Sequence, residues 1–89
     1  MKSRRTQDFQ DAFHQLPKTI KVKARRAFKY FQANPQHPSL RFKLIDREAG
    51  VYSAMIDQNY RSLAVREDDN WVWFWIGPHK EYDELISHL

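Results

Sequence analysis

Six consecutive apolar residues, Trp71 to Ile76, stand between Asn70 and Gly77. Strand side chains alternate between faces, so this run sets Trp71, Trp73 and Trp75 on one face and Val72, Phe74 and Ile76 on the other. A strand apolar on both faces is covered on both sides and lies centrally in its sheet. The chain has 89 residues, enough for one domain, 1–89, with one core. Aromatics on a sheet can also stack nucleobases, but Trp73 and Trp75 are read as core. Trp71, at the strand start, is expected to be the most exposed of the three.

The rest of the chain changes period once. Thr6 suits an N-cap for a helix through about Leu16, with Phe9, Phe13 and Leu16 on one face. Pro17 closes it and opens a second helix over 18–33, where Ile20, Ala24, Ala27, Phe28 and Phe31 form one stripe. Asn34-Pro35 ends that helix, because proline pushes the residue before it out of the α region. From Leu40 the period becomes two: strands are predicted at Leu40–Ile45, Val51–Ile56, Tyr60–Glu67 and Trp71–Ile76. Turns fall at Asp46–Gly50, Asp57-Gln58-Asn59 and Asp68-Asp69-Asn70. Tyr82, Leu85, Ile86 and Leu89 are spaced for a closing helix. Helices followed by strands predict an α+β fold: two N-terminal helices on a four-stranded, mainly antiparallel sheet, with a short C-terminal helix.

Charge is segregated along this order. Residues 1–45 carry eleven Lys/Arg against Asp8 and Asp11, while residues 46–89 carry four against nine acids. A basic half suits a polyanion or an acidic protein partner, although a charge run is also an ordinary solvated helix face. The cations concerned are Lys18, Lys21, Lys23, Arg25, Arg26 and Lys29 on the second helix and Arg41 and Lys43 on the first meander strand. There is no cysteine, which removes disulfides and thiolate metal sites. His14, His37, His79 and His88 lack ligand spacing, so no metal or cofactor is implied. No membrane span or secretory leader is expected, which points to a cytoplasmic protein.

Two places could carry chemistry. Arg61, beside Tyr60 at the start of the third predicted strand, offers a planar charged fork for a phosphate. Its other reading is an ion pair with Asp57 or a nearby acid. His79 follows Gly77-Pro78 where the apolar strand ends, with Tyr82 one turn later on the same side. It is either a proton-transfer group near neutral pH or a helix-capping histidine above a packed Tyr82. A histidine, a tyrosine and an arginine around one phosphodiester would suffice for RNA cleavage. One group takes the 2′-hydroxyl proton, another protonates the departing 5′-oxygen, and arginine stabilises the phosphorane.

The order of these segments resembles the RelE/ParE superfamily of toxins from type II toxin–antitoxin modules. The resemblance runs from about Phe9 to Leu89 and rests on P-x-x-P-S-L at 35–40, Y-S-x-x-I-D-x-x-Y-R at 52–61 and W-F-W-I-G-x-H-x-E-Y-D-x-L at 73–85. It implies a bacterial, cytoplasmic toxin held by a cognate antitoxin, and in RelE-like members metal-independent cleavage of mRNA on the ribosome. Carried over by position, Arg61 matches the phosphate-binding arginine, His79 the histidine or arginine after the last strand's glycine, and Tyr82 the aromatic that orients RNA. Ser53 and Met55 stand where some relatives have two basic residues, which leaves the general base unassigned and makes Lys43 a compensating cation. These departures keep open a ParE-like gyrase poison without nuclease activity, or a member that only binds antitoxin. The family also opens with a strand, for which Lys2–Arg5 is short and polar.

Overall fold

Thr6 begins the first helix by side-chain capping: its hydroxyl accepts a hydrogen bond from the Phe9 N–H at 3.1 Å. That satisfies one of the amides a helix start leaves unpaired. In this computed structural model, which describes residues 2–88, α1 runs Gln7–His14 and α2 Lys18–Ala33, with Pro17 at the head of the second. α2 stops at Asn34, which is extended (φ −163°, ψ 106°) ahead of Pro35, as the clash with a proline ring requires. The closing helix α3 is His79–Ile86. Leu89, assigned to it from the sequence, lies outside the described residues, and Leu85 faces solvent.

The sheet has five strands where the sequence predicts four: β1 Lys2–Arg5, β2 Lys43–Asp46, β3 Val51–Asp57, β4 Tyr60–Glu67 and β5 Asn70–Pro78. Their order is β1-β5-β4-β3-β2. β2 to β5 form the antiparallel meander, and β1 lies parallel to β5, pairing Lys2 with Asn70 and Arg5 with Trp73. Every β1 side chain is exposed. This strand exists through its backbone bonds to β5, so no apolar alternation marks it. With β1 beside it, β5 becomes an interior strand, as its two apolar faces demand.

β2 is shorter than Leu40–Ile45. Pro38–Leu40 instead forms a single 3-10 turn, ended by Arg41 in the left-handed region (φ 45°, ψ 43°). That turn, and not a strand, sends Leu40 into the core at 1% exposure, while Leu44 on the sheet edge remains 42% exposed.

α1 and α2 cover one face of the sheet. Phe9, Leu16, Ile20, Ala24, Ala27 and Phe31 pack against Ala54, Ala64, Trp71, Trp73 and Ile76. Each large side chain fully buried there contributes about 1.5–3 kcal/mol. Ala24 and Ala64 are completely buried, and small residues at these positions let helix and sheet approach closely. Trp71, expected to be the exposed tryptophan, is only 7% exposed, because Phe31, Phe42 and Tyr52 pack on it edge-on.

The three tryptophans do not share a face. Leu63 pairs with Trp75 and Ala64 with Trp73, so the register slips at Phe74. One extra residue in a strand reverses the alternation beyond it. Trp71, Trp73 and Ile76 therefore join the α1–α2 core, and Trp75 joins Phe74, Leu63, Val51 and Tyr82 on the opposite face under α3.

Candidate active site

The face of the sheet under α3 is only partly covered, and the meander's alternation decides what it shows. Lys43 pairs with Ser53 and Met55 with Arg61, so these four side chains project to the side opposite Tyr52 and Ala54. On the other side of β4, at the same end, Arg61 pairs with Gly77 and Tyr60 with Pro78. This brings the exit of β5 alongside Arg61. The His79 N–H donates to the Asn59 carbonyl at 2.7 Å, fixing the start of α3 to the β3–β4 turn.

The result is a cleft of about 140 Å³ lined by Arg41, Lys43, Ser53, Met55, Arg61, His79 and Tyr82. Small-molecule pockets usually measure about 300–1,000 Å³. This smaller concavity suits one linkage of a chain lying across it. Arg61, His79 and Tyr82 thus meet in one place, joined by two of the eight cations expected to bind RNA. The other six, on α2, lie on the opposite side of the sheet. Lys23 pairs there with Asp57 at 3.1 Å, and Arg25 sits 5.3 Å over the Phe13 ring.

Arg61 does not make the ion pair with Asp57 weighed from the sequence. Its Nη1 donates to the backbone carbonyls of Asp57 and of Tyr60, the latter at 3.0 Å. The Asp57 carboxylate is engaged by Lys23 and by the Asn59 N–H at 2.8 Å. Among the described residues no carboxylate lies within ion-pair distance of Arg61. Its charge is therefore braced by neutral oxygens and left uncancelled.

His79 is not a capping histidine. α3 has Pro78 at its cap position with no side-chain cap bond, and the His79 imidazole turns along the helix, with Nδ1 3.0 Å from Asp83 Oδ2. Asp83 is absent from the residues singled out in the sequence, although its spacing of four from His79 on a helix is the available signal. Tyr82 is 6% exposed; its ring stands 5.6 Å from that of His79 and 6.5 Å from Trp75. It is packed under the sheet, as one reading had it, and still forms a wall of the cleft. Gly77 permits this arrangement: a Cβ there would come within 2.7 Å of Trp75 Cζ2. Among the described residues no group of three or more His, Cys, Asp or Glu is gathered as for a metal ion, and no helix is long and apolar enough to cross a membrane.

Comparison with solved structures finds this architecture repeatedly. The toxin–antitoxin complex RelB–RelE from Methanococcus jannaschii superposes with a TM-score of 0.74 at 16% identity, covering 91% of this chain and 95% of that one. YafQ from Escherichia coli gives 0.72 at 12% identity, covering 90% and 94%. The RelBE2 toxin–antitoxin complex from Mycobacterium tuberculosis gives 0.67 at 26% identity, covering 86% and 95%. No curated protein sequence matches the chain. The family model of the ParE-like toxin domain matches residues 18–84, from α2 through the cleft and most of α3, and the chain accordingly belongs to the ParE-like toxins of the RelE/ParE superfamily from toxin–antitoxin systems.

Proposed function

We propose that the chain is a ribosome-dependent mRNA endoribonuclease that stops translation and works without a metal. The observation that carries this reading is the meeting of His79 with Arg61 in one cleft. Arg61 holds the scissile phosphate and stabilises the extra negative charge of the phosphorane, with Lys43 and Arg41 beside it. His79 moves the proton, and Tyr82 positions the nucleotide. The cations of α2 hold ribosomal RNA through sequence-independent phosphate contacts. Its partner in the cytoplasm is a cognate antitoxin, an acidic segment complementary to the basic surface. The RelB–RelE and RelBE2 complexes support a partner of that kind.

The test is induction of the toxin in cells with mapping of mRNA 5′ ends. Cleavage within translated frames, lost in His79→Ala, supports the proposal; intact transcripts would defeat it.

A second reading has one observation in its favour. Ser53 and Met55 line the cleft, and neither can act as a base or hold a phosphate. A gyrase poison needs no such groups. It predicts DNA-damage signalling with intact mRNA on induction, whereas a member that only binds antitoxin predicts no growth effect.

A further inference from the structure

We propose that Asp83 is the positioning residue of the cleft: it keeps the His79 proton on Nδ1 and so makes Nε2 the atom that accepts the ribose 2′-hydroxyl proton. The inference rests on the ribonuclease reading and supplies the general base that Ser53 and Met55 leave missing.

Asp83 Oδ2 lies 3.0 Å from His79 Nδ1. An ionised carboxylate only accepts, so the nitrogen facing it carries the hydrogen. In a neutral imidazole the other nitrogen then bears the lone pair. The polar groups that line the cleft with His79 are Arg41, from the turn before β2, and Lys43, Ser53 and Arg61 from the sheet. The three cations are donors only and cannot compete for the Nδ1 hydrogen, and the Ser53 hydroxyl carries no charge to rival the Asp83 carboxylate. Asp83 is the one carboxylate within ion-pair distance of His79 among the described residues.

Two further contacts hold the residue, one at its ring and one at its backbone. The Tyr82 ring meets it edge-on at 60° with centroids 5.6 Å apart, and the His79 amide is anchored to the Asn59 carbonyl at 2.7 Å. The His79 and Asp83 side chains are 41% and 58% exposed, and pairs of this exposure and spacing add little to stability. Setting a tautomer needs only that the pair persist, and the same carboxylate stabilises the imidazolium once it forms, as in a serine protease triad.

The step balances. Nε2 takes the proton from the 2′-oxygen, and that oxygen bonds to phosphorus. The bond from phosphorus to the 5′-oxygen breaks, and the 5′-oxygen takes a proton from solvent water. A 2′,3′-cyclic phosphate and a 5′-hydroxyl remain, and the imidazolium returns its proton to solvent.

The test combines ¹⁵N NMR of histidine-labelled toxin, at a pH where the imidazole is neutral, with single-turnover cleavage of mRNA on ribosomes. The wild type should show His79 protonated at Nδ1 and bare at Nε2. Asp83→Ala should remain folded by circular dichroism, lose that tautomer preference, and cleave roughly 10–100-fold more slowly with unchanged ribosome affinity. Asp83→Asn, whose amide can donate to Nδ1 as readily as accept from it and carries no charge to stabilise the imidazolium, should lose the tautomer preference and stay slow. A wild-type His79 protonated at Nε2 would overturn the proposal. So would Asp83→Ala with wild-type tautomer and rate while His79→Ala is inactive, which leaves the ribonuclease reading standing. Intact mRNA with the wild type would defeat the ribonuclease reading and the base role together, and the tautomer would still decide whether Asp83 holds the ring.

Discussion

Arg61 and Gly77 face each other across β4 and β5 as paired residues, so the charged fork of the cleft and the strand end that delivers His79 are set by one stretch of antiparallel ladder. Arg61 is braced by the Asp57 and Tyr60 carbonyls, and among the described residues no carboxylate neutralises it. Arg61→Ala should therefore lower single-turnover mRNA cleavage by roughly 10²–10³-fold. The protein should lose about 1–3 kcal/mol of stability, the net worth of the two hydrogen bonds given up. Arg61→Lys restores charge without the planar fork and should recover only part of the rate. Equal cleavage by Arg61→Ala and wild type would remove Arg61 from the chemistry.

The Trp75 indole lies against the backbone of Gly77 near the end of β5. An added methyl would begin 2.7 Å from Trp75 Cζ2 and 3.3 Å from Glu81 Oε2, so the indole must shift. Overpacking of this kind costs about 1–3 kcal/mol. Trp75 also backs Tyr82, so Gly77→Ala should lower the urea midpoint, alter tryptophan fluorescence and slow cleavage together. A variant with native stability and rate would show that the indole moves freely.

How far the sequence can be read follows from which signals are local. Thr6, Pro17 and Asn34-Pro35 act on their own neighbours, and the helices end where those residues place them. Arg61 and His79 can be singled out because each sits at an element end, where side chains emerge from the packing, and Tyr82 because it follows His79 by one turn of α3. β1 has no local signal, since its four polar residues become a strand only against β5. The slip at Phe74 is equally hidden: six apolar residues look alike whichever of them is bulged, yet the slip sends Trp75 to the cleft side and Trp73 to the helix side. The Arg41 left-handed turn has no glycine to announce it. Placing the α2 cations behind the sheet requires knowing which face the cleft occupies.

Phe31 is the aromatic hub of the helix side, 1% exposed and edge-on to Phe42, Trp71 and Trp73 at 5.0, 5.7 and 5.1 Å. Truncating a buried phenylalanine removes its transfer energy and leaves a cavity, together about 3–5 kcal/mol. Small domains hold only about 5–15 kcal/mol in total, so Phe31→Ala should reach or cross the threshold of folding. Thr6→Ala, which removes only the Phe9 cap bond, should cost about 1 kcal/mol and leave cleavage per folded molecule unchanged. Chemical denaturation of the two variants checks the ranking, and a Phe31→Ala loss no greater than that of Thr6→Ala would contradict this view of the core.

The cations of α2 and those of the cleft lie on opposite sides of the sheet, and the proposed function would then separate holding the ribosome from cutting the message. Arg25 and Lys29 are exposed, and neither has an ion-pair partner among the described residues. Removing one cation from a phosphate reduces the slope of log affinity against log salt by roughly 0.7–0.9. Arg25→Gln with Lys29→Gln should therefore weaken ribosome binding at physiological salt and flatten its salt dependence by about 1.4–1.8. Cleavage by ribosome-saturated toxin should remain at the wild-type rate, because neither residue reaches His79 or Arg61. Lys43→Ala should instead slow cleavage at saturation, while the loss of its single phosphate contact flattens the salt slope by no more than about 0.7–0.9. A salt titration of ribosome binding, run beside single-turnover cleavage for both variants, distinguishes the two surfaces. If the α2 variant keeps the wild-type slope, α2 faces solvent or the antitoxin and the RNA is held elsewhere.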